Sequence, residues 1–226
     1  MALKKVVVIW LDGTFEGNHN QSMTNEFNQQ LASSAAASDP IEAAICHETK
    51  DDLLAHGAPV VTAKTAEEAI ELIKSYPDAK IFFISSGSLG KEMVPKIVEK
   101  YLLIHSFYIF CLKMAKHREW AMEYVECLQM FDHPVDLLVR LMRDISEYFI
   151  EQGKQYLKDN DPHNALKYFK HSFNLEKGAN VKDKMKPNTK NSGKPSVQPD
   201  FRRNPDQLEG GNGLIRQAER ALENLT

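Results

Sequence analysis

Residues 5–11, Lys5-Val6-Val7-Val8-Ile9-Trp10-Leu11, are apolar almost without a break and mostly β-branched. A run without polar alternation predicts a strand buried on both faces, as in a parallel sheet. It stops at the turn signal Asp12-Gly13. Residues 13–57 show no such order: Asn18, Asn20, Gln21, Asn25, Asn28, Gln29 and Gln30 make the first half polar, and 33–38 is a Ser/Ala stretch. An irregular insertion with one or two helices is expected here, one of them opening at Asp39-Pro40.

From residue 59 the pattern sharpens. Pro59-Val60-Val61-Thr62 predicts a short strand. Thr65 and Glu68 then stand at capping-box spacing before a helix with Ala69, Leu72 and Ile73 on its apolar stripe. Residues 79–85 predict a second central strand and 86–90 a turn. A helix follows with Met93, Val94, Ile97 and Val98 inward, and with Pro95 either tolerated early in it or kinking it. Residues 106–112 predict another buried strand, and 115–124 a helix anchored by Trp120 and Tyr124. A weak strand at 126–130 precedes a helix from Val135 with Leu137, Leu138, Leu141 and Ile145 buried. Five strand–helix alternations predict an α/β fold, a flavodoxin-like doubly wound five-stranded parallel sheet, over residues 4–143.

The texture changes over 144–177. With Ser146 as first position, Phe149, Gly153, Tyr156, Ala165, Phe169 and Ser172 fall at the aromatic and small positions of a tetratricopeptide (TPR) unit. Gly153 and Ala165 let two antiparallel helices approach, and the aromatics fill the groove beside them. Gln152 and Lys177 depart from the pattern, standing where an aliphatic residue and a proline are usual. A lone unit leaves its stacking face uncovered. That face must lean on the α/β domain, the tail or another chain, and exposed positions near Tyr148, Gln152, Tyr156 and Lys167 are the candidate partner contacts. Residues 178–213, rich in Lys, Asn, Pro, Gly and Ser, predict a disordered basic linker. Residues 214–225 predict a short amphipathic helix, which either caps the hairpin or frays.

Composition narrows the function classes. The 28 Lys and Arg against 31 Asp and Glu leave a net charge of −3, which argues against nucleic acid and anionic membranes as partners. No apolar run approaches a membrane span, and the N-terminal one ends too soon for a signal-peptide core. Cys46, Cys111 and Cys127 form no CxxC pair and read as reduced thiols of a cytoplasmic protein. No metal site or cofactor is expected.

Ligands of a parallel sheet bind at the carboxyl ends of its strands. Asp12 and the residues Ser85, Ser86, Gly87, Ser88 and Gly90 are the candidate anion or nucleotide site there, because free N–H groups at a helix start attract anions and glycines admit a phosphate. The plain alternative is a turn Asp and an ordinary strand–helix junction with Ser88 as N-cap. The stretch is neither GxGxxG nor a Walker loop. Gly87 stands immediately before Ser88, where a nucleophile elbow would place its glycine two residues earlier. Of the nearby histidines, only His117 falls at this edge; His105 falls at the other. A phosphoaccepting receiver would need further acids, but Leu11 precedes Asp12 and Ser85-Ser86 occupies the nucleophile position. The aromatics Trp10, Phe82, Phe83, Phe107, Tyr108 and Phe110 lie in continuous apolar strands and read as core.

The phrases Val-Val-Val-Ile-Trp-Leu-Asp, Ile-Phe-Phe-Ile-Ser-Ser-Gly-Ser-Leu-Gly-Lys-Glu-Met-Val-Pro-Lys-Ile, Phe-Tyr-Ile-Phe-Cys and Lys-His-Arg-Glu-Trp-Ala together resemble a degenerate receiver-like (CheY-like) module. That module stands at the N-terminus of invertebrate multidomain proteins, before TPR or kinesin-light-chain-like repeats or an arginine-specific ADP-ribosyltransferase domain. The resemblance covers residues 4–140. It implies a receiver fold without phosphorylation chemistry, and it brings no catalytic residue. The expected function is a non-catalytic adaptor, with a protein partner or a second copy bound through the hairpin. The alternative is a small-molecule or nucleotide-binding enzyme, an ADP-ribosyltransferase-associated regulatory module, using Asp12 and residues 85–90.

Overall fold

The computed structural model describes residues 5–11, 50–51, 53–100, 104–184 and 205–224. Five strands, β1 (Val6–Leu11), β2 (Val60–Ala63), β3 (Lys80–Ser86), β4 (Ile104–Phe110) and β5 (Leu128–Phe131), form one all-parallel sheet in the order β2-β1-β3-β4-β5. This is the flavodoxin-like order, with the switch at β1. Every residue of β1 is buried, as its unbroken apolar run requires.

Alternate strand residues serve two faces. Val7, Ile9, Leu11, Ile81, Phe83, Phe107 and Ile109 share a core with Ala69 and Ile73 of α1 (Ala66–Ser75), with Met93, Val94 and Ile97 of α2 (Gly87–Lys100), and with Trp120 and Ala121 of α3 (Arg118–Ala121). On the other face Val6, Val8, Trp10, Phe82, Ile84, Tyr108 and Phe110 are equally buried. There Phe82, Tyr108 and Phe131 stack across β3, β4 and β5 at 6.4 and 6.3 Å between ring centres. The Lys50 ammonium lies 5.2 Å above the Trp10 ring.

Local chemistry sets the boundaries. The Thr65 hydroxyl accepts from the Glu68 N–H at 3.2 Å and caps α1. The Glu68 carboxylate reaches back one residue further than in the standard box, to the Lys64 N–H at 2.7 Å. The turn predicted over 86–90 is absent: β3 ends at Ser86 and α2 begins at Gly87. Helix α2 runs through Pro95 to Lys100, and Val98 is exposed instead of inward. The helix predicted over 115–124 is broken into a 3₁₀ turn at Met114–Lys116, α3, and a second 3₁₀ turn at Met122–Tyr124. Trp120 is buried but Met122 and Val125 are exposed, so no continuous apolar stripe holds a longer helix together.

Two compact units divide between Leu141 and Met142, inside the 25-residue helix α4 (Pro134–Lys158). In the second unit α4 and α5 (Pro162–Lys184) form an antiparallel hairpin. Asn160, at φ 59°, takes the left-handed turn position, and Asp161 caps α5 by accepting from the Asn164 N–H at 3.1 Å. Helix α5 continues seven residues past the predicted end at Lys177. Arg143 Nη2 donates to Asp183 Oδ2 at 3.0 Å and to Asn180 Oδ1 at 3.3 Å, which ties down those last turns. The first part of the expected disordered linker is therefore helix. Its last part holds α6 (Pro205–Leu208), and α7 (Leu214–Glu223) follows. Residues 185–204 lie outside the described residues.

Candidate functional sites

At the carboxyl edge of the sheet, register pairs Leu11 of β1 with Ser85 of β3. Asp12, the candidate carboxylate, lies outside the described residues. Ser85 is fully buried, and its Oγ has no hydrogen-bond partner among the described residues. The Ser86 hydroxyl accepts from the Leu89 N–H at a long 3.4 Å, so Ser86, not Ser88, takes the capping role at α2; Ser88 is already inside the helix. With no residue between strand and helix, there is no loop to wrap a phosphate.

The glycines here serve packing. A Cβ on Gly87 would stand 2.7 Å from Nε2 of His117, and one on Gly90 would stand 2.7 Å from Cδ1 of Ile109. The space a phosphate would need in front of Gly87 is filled by the imidazole. Sequence reasoning placed His117 at this edge but missed this filling role, which only the fold reveals.

His117 is also committed elsewhere. Its Nδ1 accepts from the Trp120 indole N–H at 3.3 Å, which leaves the ring proton on Nε2. Nδ1 is the nitrogen that an orienting carboxylate would hold in a Ser–His–acid relay. Burial holds the imidazole's pKa below its usual value, with Lys91 and Lys116 adding to the shift. Cys111 is buried at the end of β4, and burial, with Asp132 beside it, pushes its thiol up to about 11. A thiol of that kind is a poor nucleophile at neutral pH.

In the hairpin, Gly153 and Ala165 do what their spacing predicts: a Cβ on Gly153 would stand 2.4 Å from Cε1 of Phe169, and Ala165 is fully buried. The Ser146 and Ser172 hydroxyls meet at 2.8 Å across the seam. Tyr148 and Tyr156, expected as exposed contacts, are buried. The Tyr156 ring stacks on Tyr168 at 5.4 Å, while Phe149 meets Tyr168 edge-on at 5.3 Å. The rings fold into the groove beside the small residues, and burial pushes the Tyr148, Tyr156 and Tyr168 phenols up. Gln152 is half-buried and Lys167 is exposed.

The hairpin's face is not bare. Both α6 and α7 pack on α5, and Leu208, Leu214 and Ala218 are buried there. Lys154 Nζ donates to Gln207 Oε1 at 3.4 Å. Beside this contact an open cleft of about 330 Å³ is lined by Lys154, Gln207, Glu209, Asn212, Gly213, Leu214 and Gln217. Sequence reasoning left open whether the last helix caps or frays. The available signal was the pair of leucines, Leu208 and Leu214, flanking a Gly-Gly-Asn-Gly turn.

Among the described residues, no group of three or more His, Cys, Asp and Glu side chains is placed to hold a metal ion. No described helix is long and apolar enough to cross a membrane. The chain matches no protein-family model, no curated protein and no solved structure.

Proposed function

We propose that this chain is a non-catalytic protein-interaction adaptor, in which a receiver-like α/β platform carries a TPR-like hairpin that takes up an amphipathic helix of a protein partner. The observation that carries this reading is the packing of α7 on α5: the hairpin surface already receives one amphipathic helix. Small residues at the α4–α5 seam, with aromatics packed beside them, support the TPR-like reading. The strand order supports the receiver-like one. Three observations weigh against the nucleotide-binding enzyme: the direct β3–α2 junction, the imidazole filling the space at Gly87, and the Trp120 indole on His117 Nδ1.

Panning a library of helical peptides against the full chain tests the adaptor, alongside a thermal-shift series with nucleotides, NAD and phosphate. The expected result is enrichment of amphipathic helices and no ligand-specific shift. A failure to enrich any helix overturns the adaptor reading. A nucleotide-specific rise in Tm that disappears in Ser86→Ala replaces it with the enzyme.

A further inference from the structure

The tail segment 205–224 has the marks of a built ligand. Gly210 sits at φ 89°, a conformation open chiefly to glycine. A Cβ on Gly213 would stand 2.3 Å from the Glu209 carbonyl oxygen. These two glycines close a tight turn that brings Leu208 and Leu214 into the same interface, with Ala218 one helical turn on. The Gln217 side-chain amide donates to the Asn212 carbonyl at 2.8 Å and secures the start of α7.

The segment nevertheless depends on its dock. Helix α7 has ten residues, below the roughly 12–15 at which an isolated helix is even marginal in water. Its N-cap, Gly213, offers no side-chain hydrogen bond. Leu214 and Ala218 are buried, but Ile215, Ala221 and Leu222 are only half-buried, and the contact with α4 opens into the polar cleft at Lys154. A helix this short, which exists because it is docked, can undock and unfold as a unit without requiring the hairpin to open.

We infer that α6–α7 is a releasable cis ligand of α5: a latch that occupies the helix-receiving face of the hairpin and must leave before a partner helix can enter. The inference rests on the adaptor reading and deepens it. It assigns the partner a short amphipathic helix with a Leu-x3-Ala spacing like that of Leu214 and Ala218, and it makes binding competitive with the chain's own tail. Twenty residues, 185–204, tether the latch. A covalent link of that length keeps the tail near its site at an effective concentration on the order of millimolar, so the resting chain stays latched while a tight enough partner still displaces the tail.

The test uses a fluorescent synthetic peptide of residues 205–224. It is titrated into the full wild-type chain and into full-length Leu214→Asp and Ala218→Asp, whose own tails cannot dock. The expected result is apparent affinity about 10- to 100-fold tighter for the two variants, because no tethered copy competes. A second measurement leaves the interface unmutated. A protease site is placed within 185–204 and cut; the tail fragment is then expected to dissociate on dilution and rebind on concentration. Equal peptide affinity for all chains, or a cut tail that never leaves, overturns the latch. If the peptide exchanges as expected but panning enriches no helix, the latch stands and the adaptor falls. If panned helices bind without competing, the adaptor stands and the latch falls.

Discussion

Gly153 carries the close approach of the hairpin, and its substitution sets two effects against each other. Alanine is the better helix former by about 1 kcal/mol. Its methyl, however, would stand 2.4 Å from the fully buried Phe169 ring. Forcing extra volume into a filled core costs about 1–3 kcal/mol, so the clash wins. Gly153→Ala is expected to lower the urea midpoint, measured on the full chain with an unchanged m-value. This position was legible in the sequence because small residues at helix-crossing positions have a steric reason. The burial of Tyr148 and Tyr156 was not. A tyrosine's ring can face either way on a two-helix unit, and the Tyr168 ring that stacks on Tyr156 belongs to the other helix.

Ser85 and His117 give opposite tests of the candidate edge. Ser85→Ala removes a buried hydroxyl that lacks a hydrogen-bond partner among the described residues, so it is expected to leave stability unchanged or raise it by up to about 1 kcal/mol. For His117 the sign follows from its lowered pKa. As pH falls through the ordinary value of 6.5, the unfolded chain takes up a proton before the folded one does. The stability present above that pH is thus lost progressively below it. Urea melts between pH 7.5 and 5 are expected to show this slope, and His117→Gln to flatten it. A slope unchanged in His117→Gln would place the pH dependence elsewhere.

At the scale of elements, what could be read was what a local rule dictates. Strands β1, β3 and β4 follow from apolar runs, β2 from a short one and β5 only from a weak signal, and α1 follows from its Thr65–Glu68 spacing. In the turn between α4 and α5, Asn160 and Asp161 do the work those residue types are suited for. Errors fell where a distant partner decides. The stretch 178–184 reads as linker because its lysines and polar residues have little to bury. Yet Gly178 fits against Met142, and Arg143 reaches Asp183 forty positions away. Since both members of that ion pair are partly exposed, its strength is modest. Arg143→Ala is expected to cost about 0.5–1 kcal/mol and to speed amide exchange over 178–184 while leaving 145–176 protected. The β3–α2 junction was misread for a related reason. Ser-Gly-Ser-Leu-Gly has turn composition, but Gly87 and Gly90 are there for His117, Ile109 and Trp120.

At the scale of the whole molecule, alternation of strands and helices was enough to reach the parallel sheet and its flavodoxin-like order. The proposed interaction surface was legible only in outline: the need for a cover on the lone hairpin followed from packing logic, whereas the identity of that cover depended on α6 and α7 docking on α5. In the proposed adaptor, a hairpin face covered by the chain's own short helix stays closed until a competing helix displaces it. Native-state hydrogen exchange on the full chain reads this most directly. The expected result is that amides of 214–223 are protected, yet exchange at least about 100-fold faster than those of 145–176, through an opening that leaves the hairpin intact. Protection of 214–223 equal to that of the hairpin, or none at all, would contradict it.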